Sequence, residues 1–185
     1  NLLSQQLACR LPSRPAAVDE WSEPAEASYT RMVARQVSAK LSTSMCGEIE
    51  SQGVLLMPDG EEAAEFRQLC RVWRGSRNVE LEIEVQPRIE LRADPWNSYF
   101  ACRFAWGDED AVVWRSLHET RQRVESGEFE APQFIEIDDG QVRVAVLTGG
   151  LPYHRRVGFR MLDSLLIVRD ESQRRFRIAV AVSEP

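Results

Sequence analysis

The chain has 185 residues, a length typical of one globular domain, and its 43% apolar and 28% charged residues exclude global disorder. The formal net charge of −6 opposes sequence-independent binding to nucleic acids, which needs cationic charge against the phosphates. No apolar run approaches the roughly 20 residues of a membrane-spanning helix. We therefore expect a soluble domain with no nucleic-acid partner and no membrane partner.

The start of the chain and its cysteines indicate the setting of the domain. Asn1 is followed by neither a basic region nor a long apolar stretch, so we expect a piece of a longer protein rather than a signal peptide. None of the four cysteines is in CxxC spacing, which excludes a zinc ribbon and a thioredoxin-like motif. We expect all four to be reduced, which slightly favours the cytoplasm.

The first part of the chain shows little periodicity. Residues 1–28 are rich in Pro, Ala and Glu, and this composition predicts a lead-in segment or linker. From Tyr29 to Leu41 the residues alternate at period two, which predicts a long strand. We therefore place a single folded domain at residues 29–185.

The strongest strand pattern lies at residues 79–85, where four aliphatic residues alternate with acidic ones and Pro87 soon follows. A helix would scatter these aliphatic side chains around its axis, whereas a strand places all of them on one face. The pattern is therefore typical of a half-buried strand in an antiparallel sheet.

Similar alternation and aromatic enrichment predict strands along the rest of the chain, separated by turn residues. These strands lie at residues 48–57, 64–73, 99–106, 134–137, 141–147, 163–168 and 175–182. Residues 120–127 are predicted to form a helical turn. With about nine strands and almost no helix, the chain is expected to be all-β, as an antiparallel sandwich or a barrel.

Catalytic chemistry is hard to find in the sequence. The two histidines, His118 and His154, are not spaced as zinc ligands, and no nucleophile elbow, P-loop or dinucleotide-binding fingerprint occurs. The acidic residues of the 79–85 strand are expected on a solvated face, and residues 108–110 lack the spacing of a calcium-binding loop. We therefore predict no catalytic residue, no metal ligand and no cofactor for this chain.

The first of two unusual segments is aromatic-rich and covers residues 94–106. Its evenly spaced aromatic residues from Phe100 to Trp106 are expected to fill the core. Trp96 and Tyr99 are instead candidates for contact with a carbohydrate, because aromatic faces pack on the apolar faces of pyranose rings.

The second unusual segment covers residues 147–156. Two glycines and a proline shape it into a loop that ends in a polar tip, made of Tyr153, His154, Arg155 and Arg156. Polar side chains on such a loop are candidates for binding a carbohydrate or for contact with another domain, and the two roles are compatible.

These segments are similar to parts of the C-terminal β-domain of glycoside hydrolase family 38 α-mannosidases. The resemblance begins at RQLCRVWRGSRNVELEIEVQP (67–87) and continues through DPWNSYFACRFAW (94–106) and TGGLPYHRRVGFRMLDSLLIV (148–168). It covers most of residues 30–183, with the segments in the same order and spacing. It implies an antiparallel β-sandwich of the galactose-mutarotase-like, or supersandwich, type.

The resemblance also implies a function. In such enzymes an N-terminal β/α domain carries a zinc ion and an aspartate nucleophile, and neither the zinc ligands nor the nucleophile match residues of this chain. The chain is therefore expected to be a non-catalytic domain that packs on the zinc-containing catalytic domain of its parent. Mannose-containing glycans are a further expected partner, and the four residues of the polar tip are candidates for contact with the rim of the catalytic pocket.

Two alternatives stay open. An independent carbohydrate-binding module predicts exposed, coplanar aromatic side chains such as Trp21, Trp96 or Trp114. A mutarotase-like enzyme requires a histidine and a glutamate that converge in a cleft, with His118 or His154 as the acid.

Overall fold

The structure, a computed structural model, describes residues 3–12, 27–91 and 94–183. All regular secondary structure in these ranges is β-strand. The fifteen strands are β1 Ser4–Pro12, β2 Ala27–Tyr29, β3 Arg31–Ser42, β4 Cys46–Leu56, β5 Glu62–Trp73, β6 Asn78–Pro87, β7 Tyr99–Ala105, β8 Val112–Leu117, β9 Thr120–Arg123, β10 Glu128–Glu130, β11 Phe134–Asp138, β12 Arg143–Leu147, β13 Tyr153–Arg156, β14 Met161–Val168 and β15 Arg175–Ser183. The described ranges contain no helix long and apolar enough to span a membrane.

The strands form two antiparallel sheets that pack face to face. One sheet has six strands in the order β10-β13-β14-β7-β1-β2, and the other has nine in the order β3-β4-β5-β6-β15-β12-β11-β8-β9. The main core lies between them, because side chains of β1, β7 and β14 form one buried cluster with those of β5, β6 and β15. The predicted all-β fold is therefore confirmed, as an antiparallel sandwich.

Alternation along β7 divides its side chains between the two faces of the six-stranded sheet. Phe100 and Phe104 point into the main core, whereas Tyr99 points to the outer face and joins a smaller cluster with Leu165. Trp106, just after β7, is also buried. The prediction that the aromatic residues from Phe100 to Trp106 fill the core is therefore confirmed.

The strand predicted from Tyr29 to Leu41 is divided between the two sheets. β2 ends at Tyr29 in the six-stranded sheet, and β3 begins at Arg31 in the nine-stranded sheet. Between them, the backbone N–H of Thr30 donates to the carbonyl of Cys9 at 3.0 Å, and Thr30 Oγ1 accepts from the Cys9 N–H at 2.8 Å. The chain thus changes layer at a buried residue whose polar groups stay hydrogen-bonded.

The predicted lead-in segment differs from that expectation where the structure describes it. Ser4–Pro12 is β1, which lies between β7 and β2 inside the six-stranded sheet. Residues 7–10 are all buried, so both faces of β1 are covered and its sequence lacks the alternation of a half-buried strand. Residues 1–2 and 13–26, the latter including Trp21, lie outside the described ranges.

Residues 120–127, predicted to form a helical turn, instead contain a strand. β9 pairs with β8, and the two turn residues between them, His118 and Glu119, both have positive φ (50° and 61°). A turn of this kind matches the right-handed twist of a hairpin. Pairing with β8 therefore prevails over the helical tendency of the local sequence. β8, β10 and β13 are three more strands that the sequence did not predict.

Candidate functional site

Four of the six predicted site residues meet on the outer face of the six-stranded sheet. Tyr99 opens β7, and Trp96 lies in the turn just before it. Tyr153 and Arg155 are two positions apart in β13 and therefore share a face. The ring of Tyr153 contacts Trp96, and Arg155 lies opposite Asp163 of β14, to which Tyr99 is hydrogen-bonded.

A buried ion pair stands at the centre of this face. Arg103 Nε and Nη2 donate to the two carboxylate oxygens of Asp163 at 2.6 and 2.8 Å, and the Tyr99 hydroxyl donates to Asp163 Oδ2 at 2.7 Å. Burial, reinforced by the negative charge of Asp163, raises the pKa of Tyr99. The carboxylate is thus fully committed to neighbouring protein groups, which gives it a structural role.

Two arginines hold Tyr29 on the same face. The guanidinium carbon of Arg103 lies 3.9 Å from the centroid of the Tyr29 ring, and that of Arg10 lies 5.5 Å from it. Arg10 also donates to the Tyr29 hydroxyl, while its buried Nε has no acceptor in the described part of the chain. Cation–π contacts therefore fix the edge strand β2 to β1 and β7.

The rim of this face is formed by exposed Tyr153 and by Trp96 and Arg155, which are half-buried. The ring centroids of Trp96 and Tyr153 are 5.8 Å apart and the rings are nearly perpendicular, at 84°. Arg155 Nη1 donates to the carbonyl of Trp96 at 2.7 Å and to Glu128 Oε1 at 2.8 Å. The two rings therefore do not form the flat, coplanar platform that a carbohydrate-binding module would offer to a sugar.

His154 occupies the opposite face of β13. It has no exposed surface, and its Nε2 faces the carbonyls of Ala131 and Leu151 at 3.1 and 3.0 Å, while Nδ1 lies 3.0 Å from the Ser164 hydroxyl. Two carbonyl neighbours assign the proton to Nε2, so Nδ1 accepts from Ser164. Burial lowers the pKa of His154 to about 4, and the ring is therefore neutral at neutral pH.

The predicted polar tip is thus not a loop, because Tyr153–Arg156 is strand β13. Pairing with β10 and β14 alternates its side chains between the two faces, which separates His154 from Tyr153 and Arg155. Arg156 Nη2 donates to the carbonyl of Phe159 at 3.2 Å in the β13–β14 turn. His118 is exposed in the β8–β9 turn, so neither histidine has the cleft geometry of the mutarotase-like alternative.

The outer face of the nine-stranded sheet carries alternating arginines and glutamates. The acidic residues of β6 lie there in ion pairs: Glu80 with Arg71 at 3.3 Å, Glu82 with Arg177 at 3.4 Å, and Glu84 with Arg175 at 3.3 Å. A shallow groove of about 440 Å³ runs over this face. Surface ion pairs of this kind contribute little to stability, and these satisfy one another's charge.

Gly149 closes one side of this groove. It has a φ of +63°, and a Cβ at this position would overlap the carbonyl oxygen of Arg177 in β15. Only glycine allows the backbone to approach β15 so closely in this conformation. The loop that the sequence singled out therefore rests on the nine-stranded sheet.

An apolar surface that no other described segment covers lies at the far ends of β3, β4 and β5. Cross-strand pairing sets Leu81, Cys70, Ile49 and Ala39 in one row on the inner face of the nine-stranded sheet. The exposed fraction rises along this row from 5% at Leu81 to 54% at Ile49. The six-stranded sheet therefore ends before the nine-stranded sheet does. One corner of the inner face of the nine-stranded sheet is left open.

We call Val37, Ala39, Ile49 and Val72 the corner patch. Val37 and Val72 lie in the rows on either side of Ile49, and all four side chains are exposed. Six of the ten large exposed hydrophobic residues in the described ranges lie at this end of the molecule. Sequence reasoning missed the patch, since alternation predicts which face is apolar but not whether a second layer covers it.

The cysteines and acidic residues add no metal site. All four cysteines are free, and burial raises the pKa of Cys9 and Cys102 to about 12, so these two act as small core residues. Among the described residues, no group of three or more His, Cys, Asp or Glu side chains is placed to hold a metal ion.

Comparisons with protein families and with curated proteins identify no relative of this chain. No protein-family model matches the chain, and no curated protein matches it in sequence.

Proposed function

We propose that this chain is a non-catalytic β-domain of a larger α-mannosidase-like glycoside hydrolase, which packs on the catalytic domain and supports it. The observation that carries the proposal is the corner patch. An apolar inner face of a sandwich is normally covered by a second layer, and an exposed apolar patch beside it is typical of a surface for another protein. The proposed occupant is the catalytic domain.

The segments that resemble the family 38 β-domain support this choice of partner. They correspond to β5 and β6, to the turn and strand around β7, and to β13 and β14, so they come from both sheets. This distribution supports a whole domain of the galactose-mutarotase-like type rather than a shared local motif. The zinc ion expected in such a parent belongs to its catalytic domain.

The geometry gives less support to an independent carbohydrate-binding module. Trp96 and Tyr153 are perpendicular to one another, and the guanidinium of Arg121 lies 3.8 Å from the centroid of the Trp114 ring. A sugar would have to displace that arginine to stack on Trp114. Contact of Tyr153 and Arg155 with a glycan held by the catalytic domain stays part of the proposal.

Two measurements test the proposal. The gene is first read on both sides of this stretch, and an α-mannosidase-type catalytic domain is expected on the same polypeptide. Ile49→Glu is then made both in the 185-residue chain and in the whole polypeptide. Because Ile49 is exposed in the chain alone, its unfolding free energy should change by less than about 0.5 kcal/mol, whereas the whole polypeptide should lose thermal stability and mannosidase activity.

Leu147→Glu is the matched control, since Leu147 is another exposed apolar strand residue and lies outside the corner patch. It should leave the whole polypeptide unchanged. A stop codon directly before the codon for Asn1, or equal effects of the two substitutions on the whole polypeptide, would contradict the proposal.

A further inference from the structure

The corner patch forms the floor of a step between the two sheets. The side-chain amides of Gln5 in β1 and Gln68 in β5 donate to each other at 3.1 and 2.9 Å, so β1 lies above β5, and β4 and β3 extend beyond it. β2 pairs with β1 only at residues 10–12, and no described strand continues the six-stranded sheet beside Gln5. Since packed sheets lie about 10 Å apart, β1 is the wall of a step about one layer deep.

The floor of this step carries no carboxylate among the residues that the structure describes. In β4, alternation places Ile49 on the floor and Glu48 and Glu50 on the opposite face of the sheet. On that opposite face both glutamates form ion pairs with arginine or lysine side chains. The apolar floor is therefore left without negative charge of its own.

Two arginines lie at the outer end of the floor. The Arg74 N–H donates to the carbonyl of Met45 at 2.8 Å, and the Arg77 carbonyl accepts from the Val182 N–H at 3.2 Å, so each arginine extends the pairing of its strand by one position. At period two, Arg74 shares the face of Val72, and Arg77 shares the face of the aliphatic residues of β6. Both arginines are exposed, and within the described ranges neither forms an ion pair. The step is thus apolar, with positive charge at its outer end.

This combination of shape and charge restricts the possible occupants of the step. A flat bilayer surface cannot reach the floor of a step one layer deep. A second copy of the chain would place its own corner patch there in a symmetric dimer, and the arginines of both copies would then meet with no carboxylate to neutralise them. A different protein element, one layer thick, fits the step, and acidic groups on that element would neutralise Arg74 and Arg77.

We propose that the element that covers the corner patch presents carboxylates to Arg74 and Arg77, beside apolar side chains that pack on Val37 and Ile49. This inference rests on the proposed function for the source of the element, which is the catalytic domain of the same polypeptide. The apolar contact supplies most of the stability of docking, because it removes exposed apolar surface from water. The ion pairs fix the orientation of the docked domain and act against other partners.

Hydrogen exchange of the whole polypeptide tests this inference at the amides near Ile49 and Val72. In the double variant Arg74→Glu/Arg77→Glu, these amides should exchange about tenfold faster than in the unaltered polypeptide, because like charges then face each other across the interface. Raising the salt concentration from about 0.05 M to about 0.5 M should speed their exchange in the unaltered polypeptide and slow it in the variant. Salt screens an attraction in the first case and a repulsion in the second.

Arg123→Glu/Arg169→Glu is the matched control, because both arginines are exposed, lie outside the corner patch and alter the net charge by the same amount. It should leave the exchange of the corner amides unchanged in the whole polypeptide, and in the 185-residue chain alone neither double variant should alter it.

The possible contrary results are distinguishable. Equal exchange in the two double variants would overturn the acidic partner and leave the catalytic domain in place. Corner amides that exchange as fast in the whole polypeptide as in the 185-residue chain would overturn the proposed function as well. Binding of the 185-residue chain to vesicles of phosphatidylcholine and phosphatidylserine, or a dimer of that chain, would also overturn the inference if Ile49→Glu abolished it, because the patch would then have another occupant.

Discussion

His154 packs beside Phe129, with 5.7 Å between the ring centroids, and has no surface open to solvent. The unfolded chain exposes the same imidazole to water, where its pKa is near 6.5. The folded protein lowers this pKa to about 4, because burial disfavours the charged ring more than the carbonyls of Ala131 and Leu151 favour it. Protonation of His154 and folding therefore oppose each other.

The sign of the resulting pH dependence follows directly. Between about pH 6.5 and about pH 4, the unfolded chain binds a proton that the folded chain does not, so stability falls as the pH falls through this window. We predict that His154 removes up to roughly 3 kcal/mol of unfolding free energy between pH 7.5 and pH 4.5. Urea unfolding of His154→Gln at the two pH values should show a correspondingly smaller loss.

The control for this prediction is His118→Gln, which alters an exposed histidine in the β8–β9 turn. Its loss of stability should equal that of the unaltered chain. If the three proteins lose the same free energy on acidification, His154 is not the residue responsible.

β3 illustrates how an edge strand is kept from pairing with other chains. Two bulges interrupt its register with β4, and the extra residues at these bulges are Arg35 and Lys40. Lys40 Nζ lies 2.9 Å from Glu50, and this contact, with help from Arg67, lowers the pKa of that carboxyl. A twisted edge with cationic side chains is a poor template for sheet extension.

The first bulge depends on Gly53 of β4. A Cβ on Gly53 would overlap the carbonyl oxygen of Val33, whereas the Cβ position of Gly47 in the same strand is open. We therefore predict that Gly53→Ala costs roughly 2–3 kcal/mol of unfolding free energy, because backbone atoms of β3 must move. Gly47→Ala should stay within about 0.5 kcal/mol of the unaltered chain, and equal urea midpoints for the two variants would refute this account.

At the scale of elements, the sequence predicts the strands that are half-buried and misses those that are not. The alternation at residues 79–85 predicts β6 correctly because one face of that strand is exposed to solvent and the other is buried. β1 shows no such pattern, since both of its faces are covered. β9 is too short and too polar for its sequence to predict a strand. The chain changes from one sheet to the other at Thr30, and this change depends on hydrogen bonds with Cys9, a residue far from Thr30 in the sequence.

The same physics limits prediction of the site. The chemistry of the side chains predicts Trp96, Tyr99, Tyr153 and Arg155 as site residues, and these four do share a surface, although Tyr99 lies beneath it. The same reasoning predicts His154, yet the alternation of side chains along β13 directs the His154 ring into the interior. Period-two alternation separates two faces, but which face is inner depends on the layer that packs there.

The whole molecule is a sandwich with layers of unequal extent. Nine strands face six, and the six-stranded sheet ends at the short strand β2. β3, β4 and β5 continue beyond it, so the corner patch has backbone pairing within the sheet but no covering layer among the residues that the structure describes. Local stability should therefore decline toward that corner, because apolar burial is what holds paired strands closed.

Hydrogen exchange of the 185-residue chain measures this decline. Within β4 and β5, amides near Ile49 and Val72 should exchange on the order of 100-fold faster than those near Val54 and Phe66, which are buried in the same two strands. Equally slow exchange along both strands would show that pairing alone stabilises the corner, and the case for a missing layer would fail. In the whole polypeptide, the same corner amides should become as slow as those of the core, since a docked domain would supply the burial that the six-stranded sheet does not.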